Sequence, residues 1–387
     1  MDFLPSLIPA TPFGIADIHL TSSNVTEADY GAYASGTTYA DGDRVIIVSP
    51  SATVTMTIAS PGVITWTAHG LPDDTPVRFT TTGALPTGIT AGQIYFTRDG
   101  TDSANAFKLC LTPGGAAINT SGSQSGTHTG YATRHDVYES LVGTNTGNAP
   151  AISPNHWIRV DSTNRWRMHD NSMGSQTANS GTIANVYEAV QIIDAVALMN
   201  ISAASIQLTV TDATDGVVYD QTFSGIAPIS ESSFYAWGFE PIVRITDMII
   251  SDLPPYLNAD IALTMTDTGG TVLCGNCVMG KIRDFGGTSY GMGMRIDDYS
   301  IKSKSIFGLY TVQEGAYSRR LDAMVYVDVG AVDAVFNLLA AYRAIPAVYV
   351  GSSLYGSSIV FGFVSSFNPV VQYVSQSLMK IEIEGLI

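Results

Sequence analysis

Charge is scarce in this chain. Only 13% of its 387 residues are Asp, Glu, Lys or Arg, which argues against a disordered polyampholyte and against long solvated helices. Basic charge is scarcer still: 18 Lys and Arg face 34 Asp and Glu, for a net charge of −16. Such a field repels a phosphate backbone, so nucleic acid is not an expected partner. There are three cysteines, too few and odd in number for a secreted disulfide scaffold, and this fits assembly in a reducing cytoplasm. Long hydrophobic runs are missing too. The longest apolar stretch, Ala331 to Val350, is interrupted by Asp333, Arg343 and Pro346, so no membrane insertion is expected. The opening Met1-Asp2-Phe3-Leu4-Pro5 has neither a basic segment nor an apolar core, and no signal peptide is expected.

Motifs that carry chemistry are equally sparse. Cys274-Gly275-Asn276-Cys277 is a lone Cys-x-x-Cys. A redox pair wants its first cysteine at a helix N-terminus, but Val278-Met279-Gly280 continues as strand-like sequence, and a structural zinc would need two more ligands. Two reduced thiols near a strand end are expected. Asp73-Asp74 and Asp297-Asp298 are adjacent carboxylates, which on a strand point to opposite faces and form no glycosidase dyad. Asp284 with Asp297 and Asp298 lacks the spacing of a calcium loop. His69, His128, His135, His156 and His169 show neither metal-ligand spacing nor a nucleophile motif. No catalytic residue, metal site or cofactor is expected.

What the chain does have is β grammar. Thirty-seven glycines, 17 prolines and 10% aromatics suit short strands and many turns. Pro5, Pro9 and Pro12 keep residues 1–30 extended, as an arm. The segment from Gly36 through Tyr39 and Asp43 to Val48 reads as a turn and a strand, and its continuation resumes at Val137-Tyr138-Glu139-Ser140 and runs to Trp157. Residues 31–49 and 134–168 therefore join into one small aromatic module. Residues 50–133 form a second β-module, a sandwich or barrel inserted at its loop tip, where insertions are best tolerated. Residues 185–300 read as a jelly-roll-like β-sandwich: Ser205 to Thr211 alternates, Asp212 to Gly216 turns, and Val217 to Tyr219 pairs back. The same pattern at Asp260 to Thr266, Asp267 to Gly270 and Thr271 to Leu273 predicts a second hairpin.

Residues 301–387 read as an α+β docking domain. Val332, Val335, Phe336, Leu339 and Tyr342 recur at helical spacing. Asp333 suits the positive end of that helix, Arg343 suits the negative end, and Pro346 stops it. The fold class is thus mainly β and multi-domain, with nested small modules, a sandwich and one helix in a C-terminal α+β domain. Phe234-Tyr235-Ala236-Trp237-Gly238-Phe239 is a crowded aromatic run that reads as core or interface, with a binding groove around Trp237 as the alternative.

The joined halves resemble the small chitin- and cellulose-binding modules of chitinases and many phage virion proteins, through Tyr39, Gly42-Asp43, Tyr138-Glu139-Ser140, Asn145 to Pro150 and Trp157. The resemblance implies glycan stacking on Tyr39, Tyr138 and Trp157. The same rings also serve as the minimal core of so small a module. The insert, through Thr67 to Leu71, Val77-Arg78-Phe79, Gly83 to Pro86, Phe107-Lys108-Leu109 and Thr112 to Gly115, resembles a decoration of tailed-phage fibre and tail proteins. The C-terminal third, through Leu253 to Tyr256, Gly291 to Tyr299, Phe307-Gly308, Glu314, Tyr317 to Arg320 and Ile383 to Leu386, is similar to a family encoded among phage tail genes. The resemblance implies a non-enzymatic structural protein of a tailed-phage virion, attached to the tail or neck. It would assemble in symmetric copies in the host cytoplasm, with itself and other tail or neck proteins as partners. A host-glycan-binding adhesin using Tyr39, Tyr138, Trp157 and Trp237 is the alternative, and a polysaccharide-cleaving enzyme a distant third.

Overall fold

A computed structural model describes residues 2–5, 19–100, 103–188, 192–227, 239, 243–304, 306–343, 345–352, 355–370 and 376–386. Their architecture is mainly β, with several sheets, one small barrel and one α-helix. The chain divides into two compact units, residues 26–166 and residues 1–25 with 167–387.

In the first unit, Arg44–Val48 and Trp157–Ser162 flank His135–Ser140 in a three-stranded antiparallel sheet. Between Val48 and His135 the chain builds a closed barrel. Its strands are Ser51–Met56, Ile64–Thr65, Pro76–Thr81, Tyr95–Arg98, Ala106–Cys110 and His128–Ala132. Alternation drives this closure: Val54, Met56, Ile64, Trp66, Val77, Phe79, Tyr95, Phe107 and Leu109 point inward and pack as one core, and closing the sheet removes its edges.

In the second unit, the strand Asp260–Gly280 is the spine of a seven-stranded sheet. Thr177–Glu188 pairs along one side of it, and Ser205–Asp212 and then Ala195–Ser202 pair along the other. The hairpin turning at Asp212 to Gly216 is present. The hairpin expected at Asp267 to Gly270 is not. Thr266 pairs with Thr182 and Thr271 with Ser180, so the turn-like residues are an irregularity inside one long strand. Gly269 and Gly181 take positive φ on the two facing strands, which lets both bulge together.

An eight-stranded sheet completes this unit. Tyr317–Asp328 pairs with Gln376–Gly385, which pairs with Ile359–Val370, and Ala347–Val350 follows. Asp2–Pro5 adds to Ala347–Val350. Helix Val332–Ala341 packs Val335 and Leu339 onto Leu321, Val325, Ile381 and Ile383. Asp333 lies in its first turn, and Arg343 donates to the Ala340 carbonyl at 2.8 Å, matching charge to both ends of the dipole. No described helix is long and apolar enough to cross a membrane.

Candidate functional site

The small module is organised by its turn and its asparagines. Gly42, at φ +84°, turns the chain so that its N–H reaches the Ser140 carbonyl at 2.8 Å, while Asp43 accepts from the Ala40 N–H at 2.7 Å. Thr38–Tyr39 pairs with Asn145–Thr146. The buried Asn145 amide donates to Ser140 Oγ and to the His156 carbonyl and accepts from Asn148 Nδ2 at 2.8 Å. Trp157 Nε1 then donates to the Asn148 carbonyl at 2.9 Å. The Asn-rich stretch 145–148 is thus a clamp that fixes the indole.

Three of the four ring residues expected from the sequence meet here. Tyr39 lies 5.1 Å from Trp157 at 69°, and Tyr138 and Trp157 share one buried cluster with Val45. Trp157 is only 2% exposed, so its faces serve the core. The sequence did not single out Tyr33, which stacks on Tyr39 at 5.9 Å and 25° and meets Trp157 edge-on at 6.0 Å. Tyr33 and Tyr39 are half-buried. Trp237 lies outside the described residues; of the aromatic run around it, only Phe239 is described, and it is exposed.

Beneath this cluster Asp136 is held by two arginines, Arg134 at 2.6 Å and Arg159 at 2.6 Å. Burial by itself would raise the Asp136 pKa. The two guanidinium charges and their hydrogen bonds overcome it and hold the carboxyl below its ordinary value. Arg134 also donates to the Tyr138 hydroxyl. Burial pushes the Tyr138 phenol up.

His135, which shows no nucleophile motif in sequence, opens the strand His135–Ser140 and sits in a relay. Ser49 Oγ lies 3.1 Å from His135 Nε2, and His135 Nδ1 lies 2.7 Å from Glu27 Oε1. Ser49 is at φ +30°. This order of hydroxyl, imidazole and carboxylate is that of an acyl-transfer triad. Two features set it apart from one. Pro50 follows the serine and has no N–H to stabilise an oxyanion at that position. The imidazole face is covered by Trp166 at 4.0 Å and 17°. Thr163 Oγ1 donates to the same Glu27 oxygen at 2.6 Å and Arg165 lies 3.3 Å from the other, so the carboxylate ties together three segments of the unit. Sequence spacing gave no sign of this, because Glu27, Ser49 and His135 share no local motif.

In the second unit, Cys274 and Cys277 are free and buried, like Cys110 in the first. Burial pushes the Cys277 thiol up to about 12 and raises the Cys274 thiol well above its ordinary value, so both stay protonated and unreactive at neutral pH. Among the described residues no group of three His, Cys, Asp or Glu side chains is placed to hold a metal. Asp297 and Asp298 diverge, as adjacent strand residues must: Asp297 binds Arg295 and Arg320, and Asp298 binds Lys302. Asp73 and Asp74 accept from the N–H groups of Gly100 and Gly114 and are turn residues.

An open cavity of about 360 Å³ is lined by Asn200, Glu314, Tyr317, Arg319, Phe361 and neighbouring residues. Its guanidinium is already committed, since Arg319 lies 2.9 Å from the buried Asp247. Compared with protein-family models, curated proteins and solved structures, the chain shows no match.

Proposed function

We propose that the chain is a non-enzymatic structural component of a tailed-phage virion, attached at the tail or neck and assembled in symmetric copies. The observation that carries this reading is the nesting of the first unit. Arg44–Val48 and His135–Ser140 are adjacent paired strands, and the whole barrel leaves and returns between them. A closed barrel with its own core, hung from the rim of a small aromatic module, suits outward display better than it suits enclosing a substrate. The chemistry points the same way. The buried thiols are protonated, the serine of the Ser49, His135 and Glu27 relay is followed by a proline, and the acidic pairs are engaged in turns and ion pairs. Immunoblotting of purified tailed-phage particles that encode the chain is the test: the protein co-purifies with particles in a fixed ratio if it is a structural part, and remains in the free fraction if it is not.

A second reading, a host-glycan-binding adhesin, is favoured by one observation. Tyr33 and Tyr39 are stacked, half-exposed and rigidly backed by Trp157, a platform whose negative ring faces suit the C–H face of a sugar. Tyr39→Ala separates the two readings. It abolishes retention on host polysaccharide if the module is an adhesin and leaves particle association intact if the role is structural.

A further inference from the structure

One cation of the barrel stands apart from the rest of its unit. Residues 26–166 hold seven arginines and lysines. Arg44, Arg98, Lys108, Arg134, Arg159 and Arg165 each face a carboxylate, at 2.5–3.7 Å. Arg78 faces none among the described residues. Its guanidinium carbon lies over the Tyr131 ring instead, 4.4 Å from the centroid, and both residues are half-exposed. A guanidinium stacked on a ring keeps its N–H fork free in its own plane and loses little freedom when an anion arrives.

The strand register surrounds this pair with hydroxyls. Val54, Val77 and Phe79 point into the barrel core, so by alternation Arg78, Thr80, Ser51, Thr53, Thr129 and Tyr131 share its outer face. Tyr131 sits opposite Arg78 on one side and Ser51 on the other, and Thr129 sits opposite Thr80 and Thr53. The two rows are two residues apart, about 7 Å along the strands. Charge permits an anion here. Residues 50–133 hold four Asp against three Arg and Lys, a net −1, so nearly all of the −16 lies elsewhere. Asp73, Asp74 and Asp99 are already engaged, by Gly100, Gly114 and Lys108.

We infer that the Arg78–Tyr131 pair is a binding site for an acidic sugar, one carrying a carboxylate as uronates do. The inference goes beyond the proposed virion role and does not depend on it. The fork of one guanidinium matches the two oxygens and single charge of a carboxylate, whereas a phosphate group, with nearly two charges, asks for more than the one cation present. The row of hydroxyls then meets the polyol part of the same ligand. A peptide carboxylate fits this face less well. Every strand of the closed barrel is paired on both sides and leaves no edge for strand addition, and the outward neighbours of Arg78 and Tyr131 are hydroxyls rather than an apolar pocket.

The test titrates the full-length chain calorimetrically with tetragalacturonate, a glucuronate-containing tetrasaccharide and sialyllactose. The expected result is binding of at least one of them, and at least tenfold weaker binding by Arg78→Gln and by Tyr131→Leu, with unchanged melting curves. Arg78→Lys keeps the charge without the planar fork and should weaken binding as well, and the methyl ester of the bound sugar should not bind. These two comparisons carry the test if Tyr131→Leu lowers the melting curve. Tyr39→Ala lies outside the barrel and should leave this binding intact, which separates the site from the tyrosine platform of the adhesin reading. A wild type that binds none of the three sugars overturns the inference, as does an Arg78→Gln chain or a methyl ester that binds like its parent. Inorganic phosphate or a polyglutamate peptide binding as tightly as the sugar would make this a general anion site and overturn the sugar assignment.

Discussion

Trp157 and Tyr39 sit edge to face, their ring centroids 5.1 Å apart, although the whole barrel lies between them in the chain. That contact ties the two halves of the split module together. With Tyr33 it sets two tyrosine rings against one buried indole, a large share of the apolar burial so small a module has.

Trp157→Ala therefore acts on the fold. Removing a buried indole that is also hydrogen-bonded costs about 3–5 kcal/mol, and the expected outcome is loss of the module's cooperative melting transition. Tyr39→Ala removes a half-exposed ring and costs roughly 1–2 kcal/mol, the aromatic pairing plus part of a buried side chain. Thermal melts of the two variants check the order.

Asp136 predicts an acid limit. Burial opposes its ionisation, but Arg134 and Arg159 hold its folded pKa below the ordinary value of 3.8. A carboxyl whose pKa is depressed on folding adds stability that is fully present above the unfolded value and is lost as pH falls through the folded one. Asp136→Asn leaves two arginines without their carboxylate and costs about 3 kcal/mol at pH 7. The gap between wild type and variant should narrow below the ordinary carboxyl pKa, as measured by denaturant titration across that range.

Gly130 sets the tolerance of the barrel. A Cβ there would lie 2.7 Å from Cζ3 of Trp66 and 3.1 Å from Cγ1 of Val54, both in the packed core. Gly130→Ala overpacks it and costs about 1–3 kcal/mol, while Gly114→Ala, which meets nothing within 4 Å, costs only what its positive φ imposes. Paired melting curves read the difference.

The cysteines should be silent. With Cys277 pushed up to about 12 and Cys274 well above its ordinary value by burial, neither should react with iodoacetamide in the native state at pH 8, and both should react in guanidinium. Mass spectrometry counts the adducts. Native labelling at either position would contradict the inert-thiol assignment.

Much of this was legible in the sequence, because the local patterns had to hold. The helix spacing of Val335 and Leu339 was fixed by the face they bury, and alternation from Ser205 to Thr211 by the burial of Ile206, Leu208 and Val210. The turn at Asp267 to Gly270 misled, since Asp-Thr-Gly-Gly is the same signal whether a chain reverses or bulges; only the facing strand, with its own Gly181, decides. Tyr33 went unnoticed because it joins the cluster through the bend before Tyr39, outside any strand pattern. The Glu27, Ser49 and His135 relay was invisible for a stronger reason: its members come from three distant segments, and side-chain hydrogen bonds between such segments leave no periodicity.

Antibody labelling of tailed-phage particles that encode the chain, viewed by electron microscopy beside the purified protein, tests the virion assignment most directly. The prediction is label confined to the tail or neck, with rings or other symmetric oligomers in the purified sample. Unlabelled particles together with a monomeric protein would contradict it.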